Sequence, residues 1–334
     1  MTPTWAEVCA EVHVVRLPLH VRFRGLLERE ALLLRGPAGW GEFSPFVEYD
    51  DAESARWLAS ALGSAWVPAP PAVRTSVPVN ATVPAVPAAD VRSILARFPG
   101  CTTAKVKVAE RGQRRADDVA RVAEARAVLG AGGRIRVDAN GAWDVDEAVG
   151  ALSALSSYGL EYAEQPCATL DELGRLRVAL ARAGVDVLVA ADESIRKAED
   201  PLKVAAAGSA DIVVVKVAPL GGVHAALRVA EQCGLPVVVS SALDTSVGVA
   251  AAVALAAALP QLPYACGLGT VALFVRDVAA DPMSPVEGAL DVARAAGLRL
   301  DPVALAELAA PADRQRWWRD RLARCYALLP DRRT

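Results

Sequence analysis

From about residue 76 onward, short runs of apolar and β-branched residues alternate with amphipathic stretches in steps of about 25–30 residues, the spacing of strand–helix units. "TSVPVNATVP" (75–84), "TTAKVKVA" (102–109), "GRIRVDAN" (133–140), "LEYAEQP" (160–166), "VDVLVAADES" (185–194), "ADIVVVKVAP" (210–219) and "LPVVVSSA" (235–242) read as strands, with "YACGLG" (264–269) as a short last one. Between them lie helices with legible ends. Val119, Val122 and Leu129 fall on one helical stripe that Gly130 stops, Asp144 with Glu147 and Thr169 with Glu172 have capping-box spacing, and Gly184 ends the second of those helices. This alternation means a parallel sheet. Seven or eight units in so short a span favour an α/β barrel over an open sheet, and no GxGxxG follows the first strand.

The first 75 residues have another texture. "AEVHVVRLPL" and "EALLLRGPAGWGE" read as antiparallel strands around a turn, and "DAESARWLASALG" as a helix. The tail from about Pro302 is helical. The expected organisation is an α+β capping domain (1–75) with the tail (302–334) packed on it, and a barrel domain (76–301).

Composition narrows the function. The chain has 334 residues, 53% hydrophobic and 22% charged, with a formal charge of −3 and no basic block, so nucleic acid is not an expected partner. The start, "MTPTWAEVCAEVHVV", is not a secretory signal, and the Ala-rich run 247–259 is too short to span a bilayer. Six Cys stand singly, which argues against a zinc site or a disulfide framework and for the cytoplasm. Only three His are present, too few and too scattered for His-based metal sites or Ser–His–Asp chemistry. Of 36 basic residues only five are Lys: Lys105, Lys107, Lys197, Lys203 and Lys216. Arg supplies a fixed positive charge, whereas Lys can give up its proton when desolvated.

The placement of three of those lysines is chemical. Lys105 and Lys107 share one face of the second strand. The next strands end in Asp138, Glu164 and Asp192, which are 26 and 28 residues apart, and Lys216 follows 24 residues later. Each step is one strand–helix unit, so consecutive strands deliver Lys, Asp, Glu, Asp and Lys to the C-terminal mouth, where barrel active sites lie. Three carboxylates without His or Cys make a hard-oxygen site suited to Mg²⁺, with Mn²⁺ as an alternative. Flanking lysines can move protons to and from a carbon beside a carboxylate, and Lys105 is placed to lower the pKa of Lys107.

"AKVKV", "VDANGAW", "EQP", "ADES" and "VVVKVAPLGG", in this order, resemble the enolase superfamily in its muconate-lactonizing subgroup. The resemblance implies a modified (β/α)₇β TIM-type barrel under an N-terminal capping domain. A finer resemblance, to the actinobacterial branch of the o-succinylbenzoate synthase family, runs through "FRGLLERE" (23–30), "GWGEFSPFVEYD" (39–50), "VPVNATVPAV" (77–86), "CTTAKVKVAERGQ" (101–113), "EYAEQPCATLDEL" (161–173) and "SSALDTSVG" (240–248). It implies a Mg²⁺-dependent syn dehydration in menaquinone biosynthesis through a metal-stabilised enediolate. By the same resemblance Lys107 is the acid/base, Lys216 the cation on the opposite side of the ring, and Asp138, Glu164 and Asp192 the metal ligands.

Around this set stand weaker candidates. Arg136 shares the strand face of Asp138, either to tune Lys107 or to pair with a neighbouring carboxylate. Asn140 orients a ligand or caps a turn. Glu193 has the opposite strand parity from Asp192 and is assigned to the surroundings of the metal. Ser240, Ser241 and Gly267, at the ends of the last strands, are candidates for a substrate carboxylate. Arg22, Phe23 and Arg24 lie on a capping loop (19–25) that the resemblance makes mobile, with Arg24 the candidate contact, while His224 reads as structural. The expected partner is a small carboxylate substrate, and oligomeric state stays open. An N-acylamino acid racemase, dipeptide epimerase or cycloisomerase on the same residues is the main alternative. A Schiff-base aldolase or a non-catalytic binding protein fits five ionisable groups in register less well.

Overall fold

The protein is described here by a computed structural model of residues 3–197 and 208–330; Lys203 lies outside them. The capping domain is built on an antiparallel meander of β1 (Val12–Phe23), β2 (Leu26–Gly36) and β3 (Gly39–Phe43). The helix Asp51–Trp66 packs across it, closely enough at Gly41 that a Cβ there would lie 2.0 Å from the Ala61 carbonyl oxygen. The C-terminal helix Ala312–Ala327 joins the same core, where Trp57, Phe43, Leu58 and Trp318 are fully buried. Glu30 of β2 ties that helix down, accepting from the Arg314 guanidinium at 2.7 Å and the Trp318 indole at 2.9 Å.

The rest is α/β. After β4 (Ser76–Pro78), the strands β5 (Ala81–Val83), β6 (Thr103–Lys107), β7 (Arg134–Asp138), β8 (Leu160–Glu164), β9 (Val189–Ala191), β10 (Ile212–Val215) and β11 (Val237–Val239) form one parallel sheet in sequential order. Cys266 and Gly267 close it into a ring. On one side Asn80 N–H donates to Cys266 O (2.9 Å) and Cys266 N–H to Pro78 O (2.7 Å). On the other, Gly267 N–H donates to Val239 O (2.8 Å) and Ser241 N–H to Gly267 O (3.0 Å). The expected eighth strand is thus a two-residue closure. Among the described residues no helix is long and apolar enough to cross a membrane.

Most of the expected elements are present: both capping boxes form, Gly130 ends its helix at φ +71°, and Gly184 ends another in the left-handed conformation. Two strands differ from expectation. The run 75–84 divides, because Ser76–Pro78 pairs antiparallel with β12 (Ala289–Asp291) while only Ala81–Val83 enters the barrel. The run 185–194 keeps only Val189–Ala191 as strand, and the chain turns into a short helix at Glu193. Strand parity therefore does not govern Glu193.

Candidate active site

The register of the parallel sheet sets the site. Lys107 pairs with Asp138 and Asp138 with Glu164, so these three side chains leave adjacent strands at one level of the mouth. Lys105, Arg136 and Tyr162 form the level below. Asp192 follows β9 and Lys216 follows β10 by one residue. Across five consecutive strands the charges run plus, minus, minus, minus, plus, and Lys107 and Lys216 stand on opposite sides of the three carboxylates.

The contacts are tight. Lys105 Nζ lies 2.6 Å from Glu164 Oε1 and 2.9 Å from Asp138 Oδ2. Lys107 Nζ donates to Asp138 Oδ2 at 2.5 Å and to Asn140 Oδ1 at 2.6 Å, while Lys216 pairs with Asp192. Asn140 in turn donates through Nδ2 to Glu193 Oε1 at 3.1 Å, which brings Glu193 to the edge of the site.

Buried polar groups fix the strand ends. Arg121, 1% exposed, donates to the carbonyl of Lys107 at 2.8 Å and pairs with Asp118 at 2.8 Å. Asp118 also accepts from the N–H of Ala109, whose φ of +59° turns the chain away from the mouth. Gln165 links two carboxylate strands: its Oε1 accepts from the N–H groups of Asp192 (2.9 Å) and Ser194 (3.2 Å), and its Nε2 donates to Ser194 Oγ (2.7 Å).

Arg136 belongs to the floor. It is fully buried, donates to Glu161 Oε2 at 2.5 Å and to the Ala265 carbonyl at 2.6 Å, and packs 4.7 Å from the Tyr162 ring centre. Of its two expected roles the structure shows the carboxylate pair, and the guanidinium is directed to the floor rather than to Lys107.

Burial and mutual charge separate the titrating groups. Burial pulls the ammonium pKa of Lys105 down, but the carboxylates of Asp138 and Glu164 outweigh it and raise it well above the ordinary lysine value. Lys107 ends below its ordinary value, through burial first and the neighbouring Lys105 charge, although Asp138 opposes the shift. Burial also acts upward on Asp138, yet the two lysines beside it hold it far below the usual carboxylate range. Glu164 is pushed up to about 7 by burial and then by the charges of Asp138 and Asp192. The strand face thus carries one lysine kept charged and one eased toward its free-base form, the arrangement by which acid and base roles are separated.

Three buried carboxylates that repel one another, with no His or Cys among the described residues that line their cavity, suit a hard divalent cation. Among the described residues no three acidic, His or Cys side chains stand close enough to cage an ion as they are, because each carboxylate is drawn to a lysine. The donor chemistry and the strand positions fit such a cation.

The remaining cavity is small, about 40 Å³, and is lined by Lys105, Lys107, Lys216, Ser240, Ser241 and Gly267 together with residues of the capping domain. Phe23 presents its ring 5.7 Å from Lys107 Nζ. Arg24, at φ +52°, stacks on Phe46 with its guanidinium carbon 4.2 Å from the ring centre. Arg22 is exposed and does not line the cavity. The serine hydroxyls are engaged internally: Ser241 Oγ donates to Gly267 O at 3.1 Å and meets Thr270 Oγ1 at 2.8 Å. A larger groove of about 640 Å³ lies elsewhere, between the capping domain and the barrel helices. None of the five ionisable site residues lines it; His224 does, bonded to the Pro68 carbonyl at 3.0 Å.

Comparison with known proteins agrees with this architecture. Residues 14–65 match the family described as Enolase N-terminal domain-like, and residues 89–303 the family Enolase C-terminal domain-like. The o-succinylbenzoate synthase of Mycolicibacterium smegmatis is 57% identical over 328 residues, 98% of each chain. That of Mycobacterium marinum is 55% identical over 98% of this chain and 96% of its own. The chain belongs to the o-succinylbenzoate synthase family. Members of this family are carbon–oxygen lyases of the enolase superfamily, and this chain is such an enzyme. Among solved structures, muconate lactonizing enzyme from Pseudomonas putida shares the fold with a TM-score of 0.73 at 22% identity, over 90% of this chain and 98% of its own. The Pseudomonas fluorescens enzyme in complex with muconolactone aligns with a TM-score of 0.75 at 23% identity.

In this member of the o-succinylbenzoate synthase family the charged residues of the mouth stand in sequence motifs, whereas the roles of their supports are not marked by any. Gln165 sits in the quoted "EQP", yet nothing local signals that its amide spans to the next strand. Arg121 and Asp118 read as ordinary helix-surface charges until the fold buries them. Asn80, whose Oδ1 accepts from Arg136 at 3.1 Å, was available in the sequence as a polar residue inside an apolar strand run.

Proposed function

We propose that the chain catalyses the Mg²⁺-dependent syn dehydration of 2-succinyl-6-hydroxy-2,4-cyclohexadiene-1-carboxylate to 2-succinylbenzoate, a step of menaquinone biosynthesis in the cytoplasm. The observation that carries the reading is the charge order across the mouth, in which a lysine eased toward its free base on β6 faces a lysine beyond β10 across three carboxylates. The amine of Lys107 takes the proton from the ring carbon that bears the carboxylate. The electron pair left there forms the new ring double bond as the neighbouring C–O bond breaks. The Lys107 ammonium returns its proton to the departing hydroxyl on the same face, which leaves as water. Lys105 stays protonated and keeps its neighbour's pKa low. The Lys216 ammonium offers positive charge from the opposite side, where the substrate carboxylate gains electron density. A Mg²⁺ held by Asp138, Glu164 and Asp192 would supply further positive charge to that carboxylate. Aromatisation makes the elimination downhill, so the weakly acidic carbon proton is the main barrier.

The test is a spectrophotometric assay that follows loss of the cyclohexadiene absorbance with Mg²⁺ present. Rapid turnover abolished by Lys107→Ala and by EDTA supports the reading, whereas folded, metal-loaded protein without turnover overturns it. The opposed placement of Lys107 and Lys216 also favours a second reading, racemisation of N-acylamino acids with both lysines as acid/bases. Incorporation of solvent deuterium with inversion of an N-succinyl amino acid in D₂O would reveal it.

A further inference from the structure

The wall of the site opposite the carboxylates is the turn Ser240–Thr245, and its shape is unusual. Leu243 holds φ +62°, a left-handed backbone that costs a residue with a Cβ and persists only where the surroundings impose it. Those surroundings come from the capping domain. Arg29 of β2, 3% exposed, donates through Nε to the Leu243 carbonyl at 3.3 Å and through Nη2 to the carbonyl of Ser44. Glu42 of β3, 6% exposed, receives three donors on its Oε2: Thr245 N–H at 3.1 Å, Thr245 Oγ1 at 2.6 Å and Gly248 N–H at 2.9 Å. Its Oε1 faces Ser44 Oγ at 2.8 Å. Inside the turn, Asp244 Oδ2 accepts from Ala242 N–H at 3.0 Å. Thr245 Oγ1 also accepts from Val247 N–H at 3.1 Å and caps the helix Ser246–Ala258. A Cβ at Gly248 would come within 2.7 Å of the Asp244 side chain and 3.0 Å of Glu42 Oε2, so glycine lets the helix start close onto the acids.

We infer that Arg29 and Glu42 are positioning residues: docked capping-domain strands hold the Ser240–Thr245 turn in its strained form and thereby set the pocket wall against which substrate binds. The substrate part of this inference rests on the function proposed above, and the turn part does not. Neither residue lines the active-site cavity, whereas Ser240, Ser241, Ala242 and Leu243 all do. Two buried hydrogen-bonding side chains so placed act on substrate through the turn and, for Arg29, also through the cavity-lining ring of Phe46, whose centre lies 4.2 Å from its guanidinium carbon.

The experiment compares Glu42→Ala, Arg29→Lys and, as control, Glu30→Gln, which breaks a capping-domain cluster that does not touch the turn. Glu42→Ala removes the acceptor altogether and leaves the N–H groups of Thr245 and Gly248 without it. Amide hydrogen exchange of the 240–248 segment, read without substrate, should rise about tenfold or more in Glu42→Ala and Arg29→Lys, and stay at the wild-type level in Glu30→Gln. With substrate, KM should rise about tenfold while kcat changes less than about threefold, because ground-state and transition-state binding are lost together. Arg29→Lys carries the test should Glu42→Ala fail to fold. Unchanged exchange in the segment, or the same rise in Glu30→Gln, overturns the inference. A wild-type enzyme that does not dehydrate the cyclohexadiene would instead sink the proposed function and leave the exchange result to decide this one.

Discussion

Lys105 and Lys107 leave the same face of β6 two residues apart, yet their surroundings drive them in opposite directions. The ammonium of Lys105 is gripped by both Glu164 and Asp138, whereas that of Lys107 is held by Asp138 and Asn140 and repelled by Lys105. One strand thus carries a lysine held toward its charged form and, beside it, one eased toward its free base.

Replacing Lys107, the proposed base, should cripple turnover while leaving the fold. Lys107→Met is expected to lower kcat by about 10²–10⁴-fold, the usual contribution of a positioned acid/base. Lys107→Arg should lose as much, because a guanidinium keeps its proton near neutral pH. Turnover with circular dichroism as the fold control decides it; a Lys107→Arg enzyme with near-wild-type kcat would remove Lys107 from the proton-transfer role.

The same pair predicts a pH effect. A base works unprotonated, so kcat/KM should rise with pH through the Lys107 pKa, at a midpoint below the ordinary lysine value of about 10.4. Lys105→Met removes a repelling charge and leaves Asp138 with less compensation, and both changes favour protonated Lys107. The rising limb should therefore move to higher pH in that variant. A limb that stays in place, or moves down, would contradict the division of roles.

The carboxylates predict a response to cation that needs no substrate. Glu164 is raised to about 7 by burial and by its acidic neighbours, and a bound divalent ion would relieve that repulsion. Mg²⁺ should raise the unfolding midpoint, with a stabilisation of about 2.7 kcal/mol at a hundredfold excess over Kd. Asp138→Asn, Glu164→Gln and Asp192→Asn should each shrink the shift, and EDTA should reverse it. A melting curve indifferent to Mg²⁺ would count against the ligand set.

How much of this was legible in the sequence follows from the range of the interactions. Lys107, Asp138, Glu164, Asp192 and Lys216 were readable because barrel topology repeats, so residue types at one step of each unit must meet at one mouth. Caps such as Asp144–Glu147 were readable because they are local. The floor position of Arg136 was not, since Glu161 reaches it through a register shift between Ile135 and Arg136 that no pattern announces. Nor was the split of 75–84, which depends on a distant partner at Ala289–Asp291. The grip of Arg29 and Glu42 on the Leu243 turn joins residues about 200 positions apart, and in sequence they are merely charged residues on strands.

That grip has a thermodynamic consequence with a definite sign. Burial, followed by the charge of Asp244, raises Glu42 to about 7 from an ordinary value of 4.5, against its hydrogen bonds to Thr245 and Ser44 and the charge of Arg29. Asp244 is raised by burial as well, against the N–H of Ala242 and the charges of Arg29 and Lys216. A carboxyl with a raised native pKa binds its proton more tightly when folded than when unfolded. Its contribution to stability is therefore complete below about pH 4.5 and is lost as pH rises through about 7. The proton has a natural place on Oε1 facing Ser44, which leaves Oε2 free to keep the turn. At about 1.36 kcal/mol per pKa unit the loss amounts to a few kcal/mol, shared by two carboxyls that titrate together. Denaturant unfolding between pH 4.5 and 8 should show wild-type stability falling relative to Glu42→Gln as pH rises, because the amide does not titrate. Parallel stability curves for the two proteins would mean that Glu42 stays ionised at the domain junction throughout and that Arg29 fully compensates it.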